Sequence, residues 1–241
     1  MSKTIGILET GRLPDALLPR HGSYPDMFMR LLQGHGFTFQ SWPVLDGDFP
    51  PGVAVCDGWL ITGSRHGAYE THSWIPPLEA FIREAVSAEI PMVGICFGHQ
   101  IMAQALGGKV EKFPGGWGLG ASAYQIDGLG QVTVNAVHQD QVTVLPPGAK
   151  AAGSSDFCTH AAISFGPHAW SLQPHPEMDA PFLSDLLDAR REVFPAQDIG
   201  AAEARLDAPL DQSSIAAMMA SILSGRTTED ALRSNNLAEG V

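Results

Sequence analysis

Two rhythms of apolar and polar positions divide this chain. In the first half, short apolar runs alternate with segments whose apolar residues recur every three or four positions. Lys3 to Leu8 reads as a buried strand, and Tyr24 to Gln33 as a helix with Met27, Leu31 and Leu32 on its apolar side. Gly34 and Gly36 stop that helix. Phe37 to Trp42 and Gly58 to Thr62 read as the second and third strands. Trp74 to Glu89 places Leu78, Phe81, Ile82 and Ala85 on one helical face. Pro91 to Ile95 is a fourth strand, followed at once by a helix from Gly98 to Leu106. Strands alternating with helices in this way predict a parallel sheet covered on both faces.

After Gly108 the rhythm shortens. Ala121 to Ile126, Val132 to Val137, Ala149 to Ser154, Ala161 to Phe165 and Trp170 to Gln173 follow one another through short turns. They predict an antiparallel ribbon joined to the parallel core. Asp179 to Val193 returns to helix. Ser213 to Leu223 is a further helix, with Ile215, Met218, Met219 and Ile222 forming a stripe that needs cover. That cover is either the same domain or a partner subunit. The expected organisation is a domain over 1–193 and a helical C-terminal extension over 194–241.

Composition narrows the class. Apolar residues make up 44% and charged residues 17% of the 241, which excludes a disordered chain or a coiled coil. The net charge of −12 repels phosphate backbones and anionic lipid, so neither nucleic acid nor a membrane is an expected partner. Three cysteines, Cys56, Cys96 and Cys158, do not make a disulfide framework and suit a reducing cytoplasm. Ile90 to Gly108 lacks Asp, Glu, Lys and Arg over nearly the length of a membrane span. Its proline, glycines, His99, Gln100 and Gln104 favour strand, turn and helix instead.

Candidate chemistry gathers at two places. Gly94-Ile95-Cys96-Phe97-Gly98-His99-Gln100 lies where the fourth strand meets its helix. A nucleophile there stands on a sharp turn, and the helix N-terminus favours a thiolate. The Phe97 amide would point to where an oxyanion forms. By itself this pattern fits equally a cysteine version of a hydrolase elbow. Gln173-Pro174-His175-Pro176-Glu177 supplies the second part. Pro176 biases His175 to extended backbone, where positions two apart face the same way, so Glu177 can orient the imidazole as a base for the cysteine.

With these residues the chain resembles the class I, or triad, glutamine amidotransferases. Gly94, Cys96, Gly98 and Gln100 match the family's G-x-C-x-G-x-Q, and His175, Pro176 and Glu177 its H-P-E. The family's oxyanion strand is similar to Leu60-Ile61-Thr62-Gly63-Ser64, with Thr62 where many members carry a glycine. The resemblance spans roughly Thr4 to Leu187, and includes Gly107 to Val110 and His138 with Asp140. It implies a flavodoxin-like α/β fold and hydrolysis of the glutamine side-chain amide. Cys96, His175 and Glu177 would be catalytic, Gly63 and Phe97 the oxyanion donors, and Gln100 and Trp117 substrate contacts. No cofactor and no metal is implied.

The same resemblance leaves the acceptor open. Free-standing members with a T-G-S strand resemble the amidotransferase domain of guanylate synthetase, and similar plant proteins cleave γ-glutamyl peptides. The substrate is therefore glutamine or another γ-glutamyl amide. A synthase partner that takes the ammonia and a homo-oligomer are further expectations, and a catalytically idle regulatory binding module is the non-enzymatic alternative. His66 and His72 lack a third ligand at the usual spacing, which argues against zinc. His99 reads as structural, His138 with Asp140 as either close to the pocket or, preferably, stabilising the ribbon, and Cys56 and Cys158 as packing residues.

Overall fold

The computed structural model describes residues 2–234. Strand β1 (Lys3–Leu8) lies inside the sheet, and the chain winds outward from it in both directions. β2 (Phe37–Trp42) pairs parallel on one side and β3 (Gly58–Ile61) on the other. β4 (Met92–Ile95) adds to β3, again parallel. All four residues of both β3 and β4 are buried, which fits their continuous apolar sequence.

Helices cover both faces. α1 (Leu18–His21) is a single turn, and α2 (Tyr24–Leu31) follows it with a capping box in which Ser23 and Asp26 satisfy each other's backbone amides. α3 (Ile75–Ser87) and α4 (Phe97–Ala105) bury Leu78, Phe81, Ile82, Ile101 and Met102 against the far side of the sheet, around Trp59. Helix and sheet approach so closely at the elbow that a Cβ on Gly94 would lie 2.5 Å from the Gly98 carbonyl oxygen. A Cβ on Gly98 would lie 2.4 Å from that of Ile61. Only glycine fits at either position.

The second half is more extensive than its sequence pattern. β5 (Lys109–Lys112) and β8 (Asp140–Val144) form a separate two-stranded sheet that the apolar pattern did not disclose. β6 (Gly118–Ile126) and β7 (Gly130–His138) make a long hairpin, and β9 (Lys150–Ser154) and β10 (Ala162–Ser164) connect it to the core. β11 (Ala169–Leu172) differs from the expected ribbon strand: it pairs antiparallel with β10 but parallel with β4. The nine strands run β2-β1-β3-β4-β11-β10-β9-β6-β7.

The C-terminal helices are α5 (Ala180–Ala189), α6 (Ala196–Glu203), α7 (Gln212–Leu223) and α8 (Thr228–Ser234). The apolar stripe of α7 packs back onto its own domain. Ile215, Met218, Met219 and Ile222 are at most 1% exposed and share a core with Ile5, Ile7, Phe28 and Val93. Burying four such side chains contributes about 6–12 kcal/mol, comparable with the whole stability of a domain. α7 therefore supplies the second cover of the sheet. Residues 235–241 of the expected C-terminal extension lie outside the described residues.

Candidate active site

The strand ends make the turn on which Cys96 stands. Hydrogen bonds from the Cys96 amide to the Leu172 carbonyl (2.9 Å) and from the Gln100 amide to the Cys96 carbonyl (3.0 Å) fix the backbone on both sides. Between them Cys96 takes φ 53° and ψ −101°, a positive φ that is costly for a residue with a side chain. Of the described residues only Glu89 shares a positive φ without being glycine. That strain lifts the side chain out of the sheet, as in a nucleophile elbow. Phe97 begins α4, so its amide has no intrahelical acceptor.

His175 reaches Cys96 from β7's side. Its amide donates to the Asn135 carbonyl at 2.7 Å in an isolated antiparallel bridge, and the Asn135 side chain donates to the Met178 carbonyl at 2.9 Å. A turn follows, closed by the Met178 amide on the His175 carbonyl at 3.3 Å, and this turn, rather than the expected extended chain, puts Glu177 beside the ring, with Nδ1 to Oε1 at 2.7 Å. Both side chains are almost completely buried, at 3% and 0% exposure. Burial alone would push the imidazole down. The negative charges of Cys96 and Glu177, and hydrogen bonds to both side chains, outweigh it and hold His175 well above its ordinary range.

Gly63 closes the third side. A Cβ placed there would lie 3.0 Å from His175 Cε1 and 3.8 Å from the Cys96 Cβ. The Gly63 carbonyl accepts from the hydroxyls of Thr62 (3.2 Å) and Thr10 (3.3 Å). Thr62 also accepts from the Thr10 amide at 3.0 Å, so it ties the end of β3 to the end of β1.

A cavity of about 290 Å³ opens over Cys96 and His175. Gln100 and Trp117 both line it. The Gln100 amide nitrogen is already engaged with the Asp140 carbonyl (2.9 Å) and the Gln173 side chain (3.2 Å), and Trp117 packs edge-to-face on Phe194. His138 and Asp140, expected as structural, also line the cavity. Burial lowers His138 to about 3, with the charge on His175 adding to it, so it is neutral. His99 does not reach the cavity wall: its Nδ1 meets the Ser171 hydroxyl at 2.7 Å, and burial lowers it to about 3.

Several lining residues had no signal in the sequence pattern. Tyr24, Tyr69, Arg12, Arg65 and Arg190 come from four separate segments, and an adjoining cavity shares the three arginines. Arg12 pairs with Asp46, whereas among the described residues neither Arg65 nor Arg190 has an ion pair. In a chain carrying only 14 Lys and Arg against 26 Asp and Glu, this is a concentrated positive rim.

A strained cysteine elbow and a carboxylate-held histidine meet at the ends of the sheet's parallel strands. Residues 56–181 match the family model "Glutamine amidotransferase class-I", and the chain belongs to that family. Gamma-glutamyl peptidase 3 of Arabidopsis thaliana is 30% identical over 70% of this chain and 74% of its own length. The glutamine-hydrolyzing GMP synthase of Azoarcus sp. is 33% identical over 54% of this chain but only 26% of its own. A glutamine amido transferase from Methylobacillus flagellatus has the same fold, with TM-score 0.73, 22% identity and 96% of each chain covered. Among the described residues no helix is long and apolar enough to cross a membrane.

Proposed function

We propose that this protein hydrolyses γ-glutamyl amides through a Cys96–His175–Glu177 triad. The observation that carries the reading is a buried histidine held by the Glu177 carboxylate at 2.7 Å, facing the same cavity as a cysteine that stands on a strained elbow. The Cys96 thiolate attacks the amide carbon, and the Gly63 and Phe97 amides hold the oxyanion. His175 gives its proton to the leaving nitrogen, so ammonia or an amine departs and a γ-glutamyl thioester forms. His175 then takes a proton from water, which attacks the thioester and releases glutamate and the thiolate. Glu177 orients the ring throughout. An idle binding module has no use for this strained and costly arrangement.

The substrate follows from the rim. Glutamine releases ammonia and needs no further recognition on the leaving side. A γ-glutamyl peptide carries an additional carboxylate there, and Arg65 and Arg190 offer guanidinium groups that have no ion pair among the described residues. This favours γ-glutamyl peptides over glutamine. Gln100 supports the wall, Trp117 adds an aromatic surface, and Asp140 offers a carboxylate to the substrate's α-ammonium group. Released glutamate and amine should be measured for glutamine and for γ-glutamyl dipeptides. Peptides should show the higher kcat/KM, and Cys96→Ala should lose at least about 10³-fold with either. Glutamine turning over faster than every peptide would instead favour an ammonia-delivering subunit with a synthase partner. Retained activity in Cys96→Ala would reject the triad.

A further inference from the structure

The loop between β3 and α3 carries a cluster that amide hydrolysis leaves unused. His66 and His72 do find a third ligand, contrary to the expectation from spacing, because the loop folds Glu70 between them. Glu70 Oε2 lies 2.7 Å from His72 Nε2 and 3.3 Å from His66 Nδ1. The three atoms all fall within 4.8 Å of one another. The two imidazoles meet at 4.3 Å between ring centres. His72 stacks on buried Trp74, with planes 14° apart, and Trp74 packs on Phe97 at the start of the elbow helix. The cluster is therefore seated on the core even though it lies at the surface.

We propose that His66 Nδ1, Glu70 Oε2 and His72 Nε2 bind a divalent zinc-class ion. Two imidazole nitrogens and one carboxylate are the ligand set of an open four-coordinate zinc site. Metal–ligand bonds of about 2.0–2.2 Å set neighbouring ligand atoms of a tetrahedron roughly 3.3 Å apart. The His66–Glu70 separation already matches, and the His72–Glu70 contact opens by roughly 0.6 Å as the ion replaces a hydrogen bond. Hard ions such as magnesium, which prefer six oxygens, do not fit. His66 and Glu70 also line the cavity above Cys96, so the ion would add positive charge to that wall and tie down the loop that begins at Gly63.

Calorimetric titration of the full chain with zinc chloride tests this, in a Cys96→Ser background so that the elbow thiol cannot bind the metal. The expected result is one ion per chain at about micromolar affinity or tighter, no heat from magnesium, and a melting temperature that rises with zinc. Glu70→Gln and His72→Ala should each weaken binding at least about tenfold and abolish the thermal shift. Glu70→Gln is nearly isosteric, so it decides the matter if His72→Ala proves unstable. Absence of one-to-one binding, or equal affinity in Glu70→Gln, would overturn the site and leave a hydrogen-bonded surface network.

Discussion

The floor of the cavity and its rim are built on different principles. The floor stands on the ends of β1, β3 and β4, where each backbone segment is pinned by sheet bonds and the elbow is locked by Gly94, Gly98 and the Leu172 carbonyl. The rim comes from loops far apart in sequence, with Arg12 after β1, Arg65 and Tyr69 after β3, Trp117 before β6 and Arg190 after α5. Rigid backbone suits a nucleophile that must hold a strained conformation through a reaction. Loops suit recognition, because they can change without disturbing the sheet. In the proposed function, chemistry belongs to the floor and substrate choice to the rim.

The strongest way to break this contrast is within the floor. His175→Ala should lower kcat by about 10³-fold or more, whereas Glu177→Gln should cost roughly 10–10²-fold, because an orienting group is partly replaceable. Steady-state assays with a γ-glutamyl peptide check both, and equal losses would give Glu177 a larger role than orientation. A smaller effect is expected at the rim. Arg65→Ala should raise KM for γ-glutamyl peptides about 5–10-fold, with kcat and glutamine hydrolysis nearly unchanged. A fall in kcat for both substrates would move Arg65 into the floor's chemistry.

The smallest effect concerns acid stability, with one histidine from each side. His99 on the elbow helix and His138 on β7 are buried and neutral, with values near 3. In the unfolded chain each binds a proton near 6.5. Between those values the unfolded state holds more protons, so their contribution is complete above about pH 6.5 and falls as pH drops. At pH 5 each costs on the order of 2 kcal/mol. Denaturant unfolding between pH 6.5 and 5 should therefore be less steep in His99→Gln, by about one proton. An unchanged slope would contradict the neutral assignment.

The floor was legible in the sequence because its signals are local. An apolar run, a glycine-flanked cysteine and an H-P-E motif each lie within a few residues, and β1 and β2 match their expected limits. The rim was not, because loops carry no period. β11 reads as ribbon in the sequence because its neighbour there is the antiparallel β10, while its parallel partner β4 lies far back along the chain. β5 alternates Lys, Val, Glu, Lys with one buried residue, too little for an apolar pattern. α6 is short, rich in alanine and contains Gly200, so its weak amphipathicity hid it. Glu70 became a partner of two histidines only once the loop had folded around it.

The central claim, that Cys96 forms the covalent intermediate, is tested most directly by trapping. The protein would be incubated with a glutamine analogue bearing an electrophile at the γ position, then digested and mapped by mass spectrometry. The other two thiols are poor competitors: burial pushes Cys158 up to about 12 and also raises Cys56. One adduct per chain is expected, on Cys96, formed without added metal or nucleotide and lost in His175→Ala. An adduct chiefly on Cys56 or Cys158, or continued turnover by protein fully labelled at Cys96, would contradict it.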